Sequence, residues 1–159
     1  MKSAVLLLAS LVGALQVEFI PVQPACDNST FGNVEQIATE HFHVDWEVSF
    51  SEELVKGSVF HDLVVVSKEV TFVQFDVKDI SVSGVWQVAP GSALATGKRQ
   101  IPRVPKIAPL QYQILTPNPN VGSVLVVALG KALTFRDIVS IEIEYETHGT
   151  TSLSWMKKE

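Results

Sequence analysis

His41 and His43 stand two residues apart in a run that alternates polar and apolar residues, so their imidazoles leave one face of a strand as half of a zinc site. A catalytic zinc takes three protein ligands and an open water position, and no spacing brings His61 or His148 beside the pair. A solvated polar face accounts for both residues, and no metal is assigned to them. Glu142, Glu144 and Glu146 recur at the same two-residue interval. Three like charges on one strand face suit solvent better than an acid and a base with separated pKa values. No cysteine pair, Gly-rich phosphate loop or nucleophile elbow occurs, so neither a catalytic residue nor a cofactor is assigned to this chain.

The elements that carry these residues read as strands. From His41 to Phe50 the alternation is unbroken: Phe42, Val44, Trp46, Val48 and Phe50 are expected inward, with His41, His43, Asp45, Glu47 and Ser49 outward. A turn over Ser51 to Gly57 leads to a strand from Ser58 to Ser67, whose apolar run Leu63 to Val66 suggests burial on both faces. Val70 to Phe75, a strand opening at Ile80 and Val82, Tyr112 to Leu115 and Ser123 to Leu129 follow. Ile138 to Thr147 closes the series as a half-buried antiparallel strand, with Val139, Ile141, Ile143 and Tyr145 inward and Ser140 and the three glutamates toward solvent. Between Ala89 and Pro109 the breakers Pro90, Gly91, Gly97, Pro102, Pro105 and Pro109 accompany Lys98, Arg99, Arg103 and Lys106. This reads as a long basic loop with solvated cations. About seven strands and no convincing amphipathic helix predict an all-β fold, an antiparallel β-sandwich.

Composition and the N-terminus set the context. A chain of 159 residues, 47% hydrophobic, can bury one proper core, and its net charge of −5 argues against a broad nucleic-acid or anionic-membrane surface. Lys2 followed by the apolar run from Ala4 to Ala9, with small residues at Val12 and Ala14, is a secretory signal pattern, with cleavage expected after Ala14. Residues 15–36 then form a leader and 37–159 the domain. No second apolar stretch reaches spanning length, so the product is expected to be secreted. Cys26, the single cysteine, has no internal partner, and Asn28-Ser29-Thr30 is a glycosylation sequon in the leader.

The ordered series Thr39-Glu40-His41-Phe42-His43-Val44, Lys56-Gly57-Ser58, Phe75-Asp76-Val77-Lys78-Asp79-Ile80, Val139 to Thr147 and Ser152-Leu153-Ser154-Trp155 resembles the N-terminal domain of M1 zinc aminopeptidases of the leukotriene A4 hydrolase-like branch. The resemblance covers roughly Ile37 to Trp155 and rests on structural positions. It implies a saddle-shaped β-sandwich that packs on a zinc-bearing catalytic domain, frames the substrate entrance and binds no metal itself. The family's His-Glu-x-x-His zinc helix and Gly-x-Met-Glu-Asn loop are missing from this chain, so no catalytic residue carries over. Two roles follow from the resemblance: a detached, non-catalytic, secreted interaction module or peptidase remnant, or an incomplete piece of an active aminopeptidase. For the detached module, the surface that meets the catalytic domain in the family lacks its cover. Leu153, Trp155 and Met156 are therefore expected to be exposed and to mediate self-association or protein binding.

Overall fold

The computed structural model describes residues 29–90, 105–118, 122–147 and 155–156. Eight strands occur among them: β1 (Ile37–Ser49), β2 (Leu54–Val65), β3 (Glu69–Val77), β4 (Ile80–Val88), β5 (Lys106–Pro109), β6 (Tyr112–Asn118), β7 (Gly122–Thr134) and β8 (Ile138–Thr147). All pairings are antiparallel. They build a five-stranded sheet in the order β1-β2-β8-β4-β5 and a three-stranded sheet in the order β3-β7-β6. The described structure is all-β, as the alternation predicts.

The core lies between the sheets. Leu63, Val85, Val139, Ile141 and Ile143 of the large sheet meet Val70, Val73, Leu125, Val127, Leu129 and Leu133 of the small one. Removing this much apolar surface from water is the main favourable term for a fold without helices. β7 is buried on both faces, because Val124 and Val126 point away from the main core and pack with Phe31, Phe72 and Leu115. Phe31 belongs to the segment ahead of β1. Its amide donates to Asp76 Oδ1 at 2.7 Å, and Asn33 bridges to β3, accepting from Gln74 N at 2.8 Å and donating to the Phe72 carbonyl at 3.2 Å. The packed region therefore extends upstream of Ile37.

Four expectations change. The last strand is not half-solvated, because β8 sits third of five with β2 and β4 on its flanks, and Ser140 and Glu142 on its polar face are only 2% and 7% exposed. The breaker-rich stretch is not loop throughout, since Lys106–Pro109 pairs with β4. β2 begins at Leu54, inside the stretch read as a turn, and ends at the buried Val65, with Val66 just beyond it exposed. The fourth concerns β1. Phe42, Trp46 and Val48 take the face that alternation gives them, yet they are 60%, 63% and 45% exposed, and Phe50, in the turn past the strand's end, is 81% exposed. The small sheet has three strands against five, and β1 is the outermost strand of the large one. Its inner face overhangs the small sheet and goes uncovered.

Candidate functional site

The outer face of the large sheet gathers the polar residues. Register places His41 opposite Asp62, Asp62 opposite Ser140, and Ser140 opposite Val88. The next row runs His43, Phe60, Glu142, Trp86 and Pro109. Lys106 reaches into this row from β5. Its ammonium lies 2.6 Å from Glu144 Oε1 and 3.9 Å from Glu142 Oε2, and it sits 4.5 Å above the centre of the Trp86 ring. Trp86 donates its indole N–H to the other Glu144 oxygen at 3.1 Å. Gly84 permits this geometry, because a Cβ there would lie 2.8 Å from Trp86 Nε1.

The two carboxylates are pushed apart electrostatically. Burial holds the Glu142 carboxyl above its ordinary value against the pull of Lys106, with Glu144 adding to the rise. Glu144 is held below its ordinary value, first by the hydrogen bond from Lys106, with the Trp86 bond adding to it and partial burial opposing. Split carboxylates are a feature of acid–base sites, but ion-pair networks split them as well. Here both Glu144 oxygens are engaged by donors and the cation spans both acids. The arrangement is a clasp that ties the four-residue β5 across β4 to β8.

Two further polar groups, Asp62 and His61, follow one another on β2, one on each face of the sheet. Ser140 donates its hydroxyl to Asp62 Oδ1, while Asp62 Oδ2 is shielded from water with no protein partner. His61 projects to the inner face, its ring 4.7 Å from Phe75 of the small sheet and 6.3 Å from Phe42. Its Nδ1 is likewise shielded and unpartnered. Desolvation lowers its pKa to about 4, against an opposing pull from Asp62. Toward the other end of the outer face, Asp45, Glu47, Lys56, Ser58, Glu144 and Glu146 line an open depression of about 520 Å³.

The histidine pair leaves one face, as its spacing requires. His43 lies against Phe60, with ring centres 6.5 Å apart, and His61 is on the opposite face of the sheet. Among the described residues no group of three or more His, Cys, Asp or Glu side chains is placed to hold a metal ion. This donor set does not fit a catalytic zinc. Asn28, Leu153, His148 and the basic residues Lys98, Arg99 and Arg103 lie outside the described residues. Trp155 is half-buried, packing edge-on against Phe50 with ring centres 5.9 Å apart, and Met156 is 94% exposed. The sequence reading missed the clasp entirely. Its one legible signal was Lys106, which sits among the breakers with nothing in the chain to mark its partners.

No model of a protein family matches the sequence, and no curated protein matches it. Solved structures do. Native yeast LTA4 hydrolase superimposes with a TM-score of 0.60 at 20% identity, covering 82% of this chain and 18% of that one. The chain shares its fold with part of yeast LTA4 hydrolase. The bestatin complex of the yeast LTA4 hydrolase gives 0.59 at 20% identity, over 83% and 18% of the two chains. A further native leukotriene A4 hydrolase structure from Saccharomyces cerevisiae gives 0.60 at 19%, over 84% and 18%. The chain thus spans less than a fifth of the length of the hydrolases it resembles. Among the described residues no helix is long and apolar enough to cross a membrane.

Proposed function

We propose that this chain is an M1 aminopeptidase-like N-terminal β-domain acting as a secreted, non-catalytic binding module or peptidase remnant, with its C-terminal segment, Leu153, Trp155 and Met156, as the contact. The observation that carries this reading is the coverage: more than four-fifths of this chain matches a fold that makes up 18% of yeast LTA4 hydrolase. The sequence motifs aligned with that family are structural, and the zinc-binding motif of the family is not among them. Met156 is almost fully exposed beside Trp155, whose ring is held by Phe50. A large aromatic fixed at one edge and flanked by an exposed apolar residue is a typical interface anchor.

The same coverage favours a second reading, in which the chain is a fragment of an active leukotriene A4 hydrolase-like aminopeptidase whose zinc ligands lie elsewhere. Purified protein separates chemistry from scaffold. Elemental analysis after dialysis is expected to find no stoichiometric zinc, and aminoacyl reporter substrates are expected to remain intact. One tightly held zinc per chain, lost when His41 and His43 are changed to Ala, would overturn the reading that this chain holds no metal, and cleavage of the reporters would overturn the non-catalytic one. Sequencing the transcript past the Glu159 codon distinguishes the fragment: an open frame running into His-Glu-x-x-His supports it.

A further inference from the structure

The two sheets present four strand edges, and three are blunted. β5 is four residues long and ends in Pro109, and β6 carries Pro117. The free edge of β3 is occupied by Asn33, which bonds the backbone at Phe72 and Gln74. β1 is different. It runs thirteen residues with no Pro, Lys or Arg, and among the described residues no strand pairs with its outer edge. Unpaired N–H and C=O groups along such an edge are a template for another strand.

The side chains of β1 specify which strand. Around Val44 the sequence His41-Phe42-His43-Val44-Asp45-Trp46-Glu47 is complementary to its own reverse. We propose that β1 pairs antiparallel with β1 of a second copy about a two-fold axis at Val44, joining the large sheets into one continuous ten-stranded sheet. In this register His43 faces Asp45 of the second copy and His41 faces its Glu47, so imidazole N–H donors stand opposite carboxylate acceptors on the outer face. On the inner face Phe42 meets Trp46 of the second copy, and Val44 meets itself. Directly opposed antiparallel residues share a face, so Phe42 stands opposite the Trp46 position on the inner face, while the Trp46 indole itself turns back over Gly57 toward Tyr145. A shift by one residue would set inner against outer residues. The nearest registers that keep the faces set His43 or Asp45 against its own copy and retain one kind of His–carboxylate pair, His41 with Asp45 or His43 with Glu47, where the axis at Val44 makes two kinds and opposes no like charges. An isologous contact of this kind closes as a dimer. This deepens the binding-module reading by naming a second copy as the partner, but it rests on β1 and not on the C-terminal segment.

Analytical ultracentrifugation of the full chain at neutral pH, with far-UV circular dichroism on every variant, tests it. Wild type is expected to dimerise. His43→Asp places two like-charged pairs at the contact and is expected to weaken the dimer about tenfold. Adding Asp45→His restores opposite partners and is expected to recover most of the affinity. A readout independent of affinity uses the axis itself: in a Cys26→Ser background, Val44→Cys is expected to form an oxidised dimer readily, whereas Trp46→Cys, which faces Phe42, is not. A wild type that stays monomeric to about 100 µM, or a double variant no better than His43→Asp, would overturn the pairing. So would a dimer lost with Trp155→Ala and indifferent to the β1 changes, an outcome that would leave the C-terminal contact standing.

Discussion

Trp46 on β1 donates its indole N–H to the hydroxyl of Tyr145 on β8 at 2.7 Å, although β2 lies between the two strands. The reach is possible because the residue beneath the ring, opposite both partners in register, is Gly57. A Cβ there would stand 2.6 Å from Trp46 Cδ1 and 2.8 Å from the Asp45 carbonyl. The indole thus lies across a strand that has no side chain to lift it, and an edge strand gains a tether to the middle of the sheet.

Gly57→Ala is therefore expected to destabilise the domain by about 1–3 kcal/mol, the usual cost of forcing extra volume into a fitted contact. One of the atoms in the way is backbone, so the ring cannot relieve the clash by rotating alone. Urea unfolding followed by tryptophan fluorescence measures it. A variant as stable as wild type, with unchanged fluorescence, would show that the ring is not held over Gly57.

His61 is expected to make the domain acid-sensitive. Its folded pKa of about 4 lies below the ordinary histidine value of 6.5, so between those limits the unfolded chain binds a proton that the folded chain refuses. Stability is expected to fall as pH drops from 6.5 toward 4 and to level off below, with a total loss of a few kcal/mol. His61→Leu removes the titrating group and the unpartnered Nδ1 while keeping apolar contact with Phe75 and Phe42. Chemical denaturation at a series of pH values is expected to show a flatter profile for the variant across that window. An unchanged slope would assign the acid sensitivity to other groups.

Lys106→Met tests the clasp. The Lys106 and Glu144 side chains are 34% and 37% exposed, so solvent screens the pair and the expected loss at neutral pH is about 1 kcal/mol. The sign with pH follows from Glu144, whose depressed pKa contributes stability above its unfolded value that is lost as pH falls through the folded one. Glu142 runs the opposite way. Its raised pKa favours the folded state at low pH, and that advantage is lost as pH rises through the folded value, more so without Lys106 nearby. Both effects make the difference between wild type and Lys106→Met shrink on acidification through the carboxylate range. A difference that grows with acid would contradict the clasp.

Export is tested by N-terminal sequencing and mass spectrometry of protein expressed in a glycosylating host. Secreted protein is expected to begin at Leu15 and to carry sugar on Asn28. Intact Met1 in cytosolic protein would overturn both the cleavage site and the secreted setting.

What the sequence determined by itself was the face on which each strand residue lies. Side chains alternate with a period of two wherever a strand forms, so Phe42 and Trp46 had to share one face and His41 and His43 the other, whatever the topology. Burial was decided only by the tertiary structure, because it depends on what stands opposite. The inner face of β1 is exposed since three strands cannot cover five, and the Glu142 side of β8 is buried since that strand became central, flanked by β2 and β4. Neither fact is encoded in local alternation. β5 was illegible for a related reason: four residues ending in proline carry no strand signal of their own. That segment is a strand because β4 offers it an edge and because Lys106 finds two glutamates whose distance along the chain gives no hint of their proximity.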